Sequence, residues 1–229
     1  MCTPPYERRR RHTSSLRCTF RTPSERLDPD LGCCGTIGRM GRDDFLTAIE
    51  TNPVVVEILE RGPELGLTDW YLTAGGLFQT VWNHVAGSDP RAGIRDYDFL
   101  YYDGTDLSYE SEDRVIRHAE TLFADLGVDV EVRNQARVHL WYEDRFGAPV
   151  KPFRSTEDGI DHFVSTTCCF GARSENDGTT TVYAPHGFDD VFAGVIRPNP
   201  LLPMRHVYES KAARWTSIWP HLTVLPWPE

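Results

Sequence analysis

The stretch from Asp69 to Val85, DWYLTAGGLFQTVWNHV, changes its hydrophobic period halfway along. Asp69 to Ala74, mostly aromatic and aliphatic, reads as a strand. Beyond Gly75-Gly76, the residues Leu77, Phe78, Val81, Trp82 and Val85 recur at the steps of three and four that mark one face of a helix. A strand that passes through two glycines straight into a helix aims backbone N–H groups and the positive end of the helix dipole past the strand tip. Absent side chains there let a phosphate approach. An ordinary tight turn uses the same dipeptide, so the pair gains meaning only from its neighbours.

The next segment, Ile94 to Tyr102, is apolar on both faces apart from Asp96 and Asp98, as in an interior strand. Two residues apart on a strand, these aspartates leave the same face with Cα atoms about 6.6–7 Å apart. Like charges at about 4 Å repel by roughly 4 kcal/mol at an effective dielectric near 20, so a divalent ion or a raised pKa must relieve the pair. A frayed strand tip facing water is the plain alternative. Residues 111–126 then form a helical stripe of Val115, Ala119, Leu122 and Leu126, with Gly127 placed to end it. Val128 to Val132 alternates with period two, its valines on one face and Asp129 and Glu131 on the other. By alternation alone the two acids are equal candidates for a third carboxylate. Three such groups suit the two metal ions that stabilise an in-line phosphoryl transfer.

Upstream, the sequence predicts helices over 42–50 and 53–61, the second capped by Asn52 with Pro53 in its first turn. Downstream it predicts helices at 135–146 and 156–163, a hairpin from 166–173 and 179–184 across Asn176-Asp177-Gly178, and a helix at 188–195. A C-terminal helix over 204–219 carries Met204, Tyr208, Ala212, Trp215 and Trp219 on one side. Asn134, Gln135, Arg137 and His139 make a polar cluster directly after the third strand. They are placed where they could select a substrate, Arg137 more than His139, and the plain alternative is capping by Asn134 and packing of His139. His186, Asp189 and Asp190 read as a turn and a helix start, and Cys168-Cys169 as packed thiols on a strand. The expected architecture is α/β (α+β): a mixed sheet flanked by helices, with a C-terminal helical and hairpin extension.

The chain has 229 residues, 24 Lys+Arg against 34 Asp+Glu and a formal net charge of −10. Residues 1–40 hold eight Arg and four acids, which leaves sixteen basic and thirty acidic residues for 41–229. So acidic a body repels a phosphate backbone and disfavours a nucleic-acid partner. Only Lys151 and Lys211 are lysines, which leaves almost no candidate for a P-loop. The longest aliphatic run is Val54-Val55-Val56, far short of the about 20 apolar residues of a membrane span. The run Arg8 to Arg11 is not followed by the apolar core of a signal peptide, and the six cysteines have neither zinc nor redox spacing. A cytoplasmic protein is expected. Residues 1–40 lack any sustained period and read as a disordered arm, with the Gly32, Gly35, Gly38 series too irregular for a dinucleotide loop. Met40 directly precedes the helix start at Asp43-Asp44, which points to translation beginning there and to 41–229 as the domain.

At these residues the sequence resembles the nucleotidyltransferase superfamily of DNA polymerase beta, and more closely a bacterial nucleotidyltransferase-like family. The superfamily pattern is a Gly-Gly or Gly-Ser turn opening a helix, a strand with Asp-x-Asp, and a third acid on a later strand. The segments that carry the likeness are AGGLFQTVWNHVAG, IRDYDFLYYDGTDLS, VEVRNQARVHLWY, PFRSTEDGI, APHGFDDVFAGVIRPNP and KAARWTSIWP, spread over about 70–219. The resemblance implies that Asp96, Asp98 and Glu131 bind metal and that Gly75 and Gly76 bind the nucleotide phosphates. Glu131 is preferred to Asp129 on that ground. Arg95, Arg137 and Arg154 are the nearest arginines for the remaining triphosphate charge, and Asn134, Arg137 and Arg154 for substrate. The implied reaction uses Mg²⁺ or Mn²⁺ to move a nucleoside monophosphate from an NTP to a hydroxyl of a small-molecule or protein acceptor, releasing pyrophosphate. A regulatory nucleotide- or metal-binding module without turnover, and an RNA-modifying transferase, are the alternatives. The interval from Gly76 to Asp96 is longer than in minimal transferases, with Gly87 to Gly93 as the extra loop.

Overall fold

A computed structural model describes residues 40–175 and 177–229. The arm at 1–39, with its glycine series and Cys2, Cys18, Cys33 and Cys34, lies outside the described residues, as does Asn176 of the expected hairpin turn.

The body opens with α1 (Arg42–Ile49) and α2 (Pro53–Arg61). Asn52 caps α2 as its position predicts, its Oδ1 accepting from the Val54 N–H at 3.1 Å. Its Nδ2 donates to Thr80 Oγ1 at 2.9 Å and to the Tyr97 hydroxyl at 3.2 Å. One fully buried side chain thereby ties α2 to both elements that carry the glycines and the aspartates.

Next come β1 (Trp70–Thr73), α3 (Gly75–Val85), β2 (Asp96–Tyr101), α4 (Tyr109–Leu122) and β3 (Asp129–Asn134). α4 starts earlier than its apolar stripe suggests, because Ser108 caps it and its hydroxyl accepts from the Ser111 N–H. Gly127, at φ 64, closes the short turn that follows. The predicted helix at 135–146 is instead a 3₁₀ stretch, Gln135–Leu140, and a short α5 (Tyr142–Phe146). Trp141, at φ −128, leaves helical geometry between them.

The chain continues through α6 (Thr156–Asp161), β4 (Gly171–Ser174), β5 (Thr180–Tyr183), α7 (Asp189–Phe192), β6 (Val195–Ile196), α8 (Arg205–Ile218) and β7 (Thr223–Val224). Strand order is β3-β2-β1-β4-β5, with β2 and β3 parallel and the other pairs antiparallel. The expected hairpin is therefore no extension, since β4 pairs with β1 and continues the main sheet. Cys168 and Cys169 lie in and just after a 3₁₀ turn rather than on a strand, and both are buried free thiols. The β6/β7 pair was not foreseen, because strands of two residues have no period to read.

The sheet is double-sided. Trp70, Leu72, Tyr97, Phe99 and Val132 face the large helical core. There Trp82 of α3 meets Trp215 and Trp219 of α8 edge-on, with ring centroids 5.7 and 5.3 Å away. Those contacts seat α8 on α3 along the predicted stripe. On the other face Tyr71, Leu100, Ile160 and Cys169 form a smaller cluster under α6. The beginnings of β2 and β3 on that face stay partly exposed. Among the described residues no helix is long and apolar enough to cross a membrane.

Candidate functional site

Sheet register decides which acids meet. Asp98 stands between Glu131 on β3 and Thr73 on β1, and Asp96 stands beside Asp129. Paired residues share a face, so all four carboxylates leave the side opposite the helical core. Burial, followed by the neighbouring charge of Asp96, pushes the Asp98 carboxyl from 3.8 up to about 7. Lys211 opposes that rise, Glu131 adds to it, and a hydrogen bond donated by the Gly75 N–H also opposes it. The crowding foreseen from the Asp-x-Asp spacing is thus the second cause of the rise, after burial.

The turn feeding this site is built differently from expectation. Ala74, with φ 50 and ψ −132, makes the sharp turn, the one non-glycine at positive φ among the described residues. Gly75 and Gly76 already lie in the first turn of α3, and what they supply is room. A Cβ on Gly76 would come within 2.8 Å of the Tyr97 ring, and one on Gly75 within 2.8 Å of Gln79 Nε2. Such backbone strain costs about 1–3 kcal/mol. Ala74→Gly is accordingly expected to stabilise the fold by about 1 kcal/mol after the added unfolded-state entropy is subtracted, measurable as a higher urea midpoint. A lower midpoint would show that the turn is not strained.

Do these residues fit a hard divalent cation? The donors are right, since carboxylate oxygens suit Mg²⁺ and Mn²⁺ and the excess negative charge at Asp98 is what such an ion would relieve. Asp96 and Asp98 therefore fit. Glu131 holds its register position, but Arg133 Nη2 donates to its Oε1 at 2.6 Å. Among the described residues no three acid, histidine or cysteine side chains close around one point. The contact engages one of the two Glu131 oxygens, and Glu131 would have to turn toward Asp98 to complete a three-carboxylate set.

The nominated arginines separate cleanly. Arg95 directly precedes Asp96, is exposed and stays at the site. Arg137 is instead paired with Glu112 in a buried ion pair, only 11% and 8% exposed, and its Nε donates to the Leu107 carbonyl. Asn134 exchanges hydrogen bonds with the backbone of Asp103 and caps the 3₁₀ stretch through the Ala136 N–H. Both sit at the far end of β3 from the acids, so the structure does not bring them to the site. Arg154 is bound to Asp158 on an exposed surface.

Two further cations, not singled out by the sequence, act on the acids electrostatically. Lys211 lies within electrostatic reach of Asp98. Arg214 lies near Asp96 and Arg95. The available signal was their spacing of three on the predicted C-terminal helix, beside its apolar stripe, in a chain with only two lysines.

An open cavity of about 780 Å³ lies at the ends where β2 and β3 begin, between the loop that leads into β2 and the turn before β3. Arg95 and Asp129 line it together with Asp89, Arg91 and Tyr97, whereas Asp98 and Glu131 lie outside its wall. Asn83 holds the extra loop against the end of α3. Asn83 Nδ2 donates to the carbonyls of Pro90 and Ala92, and its Oδ1 accepts from Trp219 Nε1 at 2.7 Å. The glycine-opened end of α3 is left facing the acids.

A protein-family model described as nucleotidyltransferase matches residues 60–224. A solved NMR structure described as revealing a CCA-adding enzyme head domain superposes with a TM-score of 0.67 at 22% identity. The match covers 82% of this chain and 97% of that one, and it establishes the shared fold. No curated protein matches.

Proposed function

This chain belongs to the nucleotidyltransferase family, and from that premise we propose that it transfers a nucleoside monophosphate from an NTP to an acceptor hydroxyl, releasing pyrophosphate. One observation carries the reading: Asp96 and Asp98 share a face with Glu131 in register, directly before the N–H groups that open α3.

In this reading Asp96 and Asp98 hold Mg²⁺ or Mn²⁺. Such an ion, once bound, polarises the reacting phosphate and neutralises charge as it develops. The protein's own groups do the positioning. The positive end of α3 faces the phosphates, the Gly75 N–H holds Asp98 in place, and Gly76 allows the close approach of Tyr97 that sets the helix in place. Arg95 lies beside the same edge. The acceptor oxygen attacks the α-phosphorus, a new P–O bond forms, the bond to the bridging oxygen breaks and pyrophosphate leaves. Glu131 Oε1, freed from Arg133, takes the acceptor proton.

The acidic body continues to weigh against RNA. Two free buried thiols agree with a cytoplasmic setting. The Glu131 to Arg133 contact favours one further reading, a module that binds nucleotide or metal without turnover.

Incubation with NTPs labelled at the α- or γ-phosphate separates these. Transfer puts the α-label on an acceptor from cell extract and the γ-label in pyrophosphate. Appearance of γ-label as orthophosphate alone, or binding without product from any extract, contradicts transfer. Label on RNA would reassign the acceptor.

A further inference from the structure

Along α8, Lys211, Arg214 and Ile218 stand at i, i+3 and i+7, one stripe beside the buried row of Ala212, Trp215 and Trp219. The contacts at its end fix where this stripe points. A Cβ on Gly93 would meet Ile218 Cγ2 at 2.8 Å and the Trp219 ring at 2.9 Å, so the end of α8 lies on the loop that leads into β2. One turn back, Arg214 comes within electrostatic reach of Arg95 and Asp96, and a further turn back Lys211 comes within reach of Asp98. α8 thus runs against the chain direction of β2, its cations matched to the aspartates.

Arg214 is in an unusual state for a guanidinium. Its Nη1 is buried and has no hydrogen-bond partner among the described residues. An unsatisfied buried donor is costly, and more so on a charged group. The charged groups that act on it are Arg95, which repels it, and Asp96, which the proposed function commits to a metal ion. Lys211 and Arg95 likewise form no ion pair among the described residues, although most arginines of the body do. Three cations, two of which reach the aspartates electrostatically and none of which forms an ion pair among the described residues, stand at the edge of a site for a metal-bound triphosphate and leave room for an anion of high charge density.

We propose that Lys211 and Arg214 are nucleotide-binding residues that, with Arg95, grip the β- and γ-phosphates of the NTP from the C-terminal helix. This rests on the nucleotidyltransferase reading of the same site. The triphosphate lies between the opening turn of α3 and the 211/214 stripe of α8. α8 is therefore part of the active site as well as of the core. The pyrophosphate leaving group departs along these cations.

The test is calorimetric titration of inorganic tripolyphosphate, and separately of the Mg²⁺–NTP complexes, into the full chain and its Lys211→Met, Arg214→Met and Arg214→Lys variants. Loss of a charge-assisted contact is expected to weaken both ligands by about 10- to 100-fold in each Met variant, with partial recovery in Arg214→Lys. Lys211 is exposed, so Lys211→Met keeps the test decisive should Arg214→Met fail to fold. If wild type binds an NTP and the Met variants bind it and tripolyphosphate equally well, the inference is overturned and the function stands. A drop in thermal stability with unchanged tripolyphosphate affinity would likewise overturn it, and would show that the cations only neutralise Asp96 and Asp98. If wild type binds no triphosphate, the proposed function fails and this inference with it.

Discussion

Asp98→Asn is expected to make the metal-free protein more stable than wild type at pH 8 while removing its Mg²⁺-dependent affinity for nucleotide. Burial and the charge of Asp96 raise the folded-state pKa of Asp98 from 3.8 to about 7. The folded chain therefore keeps a proton that the unfolded chain has lost. Wild-type stability falls, relative to the variant, as pH rises between those values, and the loss is complete above about pH 7. Three pKa units at 1.36 kcal/mol each set a ceiling of about 4 kcal/mol. Asparagine keeps an acceptor for the Gly75 N–H and carries no charge, so its curve lacks this slope. Thermal unfolding of both proteins at pH 4 and pH 8 in chelator should give similar values at the lower pH and a higher melting temperature for the variant at the upper one. Added Mg²⁺ should stabilise wild type at pH 8 and leave Asp98→Asn unmoved. Parallel pH curves for the two proteins would remove the electrostatic argument for a cation site.

Glu112→Ala is expected to be among the most damaging single changes away from the acids. Glu112 Oε2 pairs with Arg137 and its Oε1 accepts from the Asn134 N–H at 2.8 Å, all in a setting closed to water. Removing one partner of a buried pair strands the other charge, at a cost of about 3–5 kcal/mol. For a domain of this size each kcal/mol lowers the melting temperature by about 2–4 °C. The Glu112→Leu/Arg137→Met double variant should recover much of the loss, because it removes both charges and keeps their volume. Its nucleotide affinity should equal that of wild type. A folded Arg137→Met protein that no longer bound nucleotide would return Arg137 to the substrate contacts that its sequence position suggested.

Arg137 illustrates what a single sequence conceals. Its place just after a strand bearing Glu131 made it look adjacent to the acids. Yet three residues of extended chain carry Asn134 to the other end of β3, about 10 Å away. Glu112, its actual partner, is distant in sequence and sits on α4 as an unremarkable first-turn acid. Lys211 and Arg214 were missed for the converse reason. Helical periodicity placed them beside the buried stripe of α8, but only the packing of Trp215 and Trp219 on Trp82 turns that flank toward Asp96 and Asp98. Features set by local period were legible: the strand-to-helix switch at Gly75, the capping by Asn52, the alternation of Val130 and Val132 with Glu131. Features set by pairing between distant segments were not. These include β4 joining β1, the capture of Glu131 by Arg133, and the displacement of the strained turn from Gly75 to Ala74, whose unusual φ nothing in an alanine announces.

The most direct test is a calorimetric titration of each of the four nucleoside triphosphates into the full chain, with Mg²⁺ and with chelator, beside the Asp96→Asn/Asp98→Asn variant. Saturable binding of at least one triphosphate that requires both the metal and the aspartates is the expected result. Equal binding with and without metal, equal binding by the variant, or no binding of any triphosphate would contradict the assignment of this face as a metal-dependent nucleotidyl-transfer site.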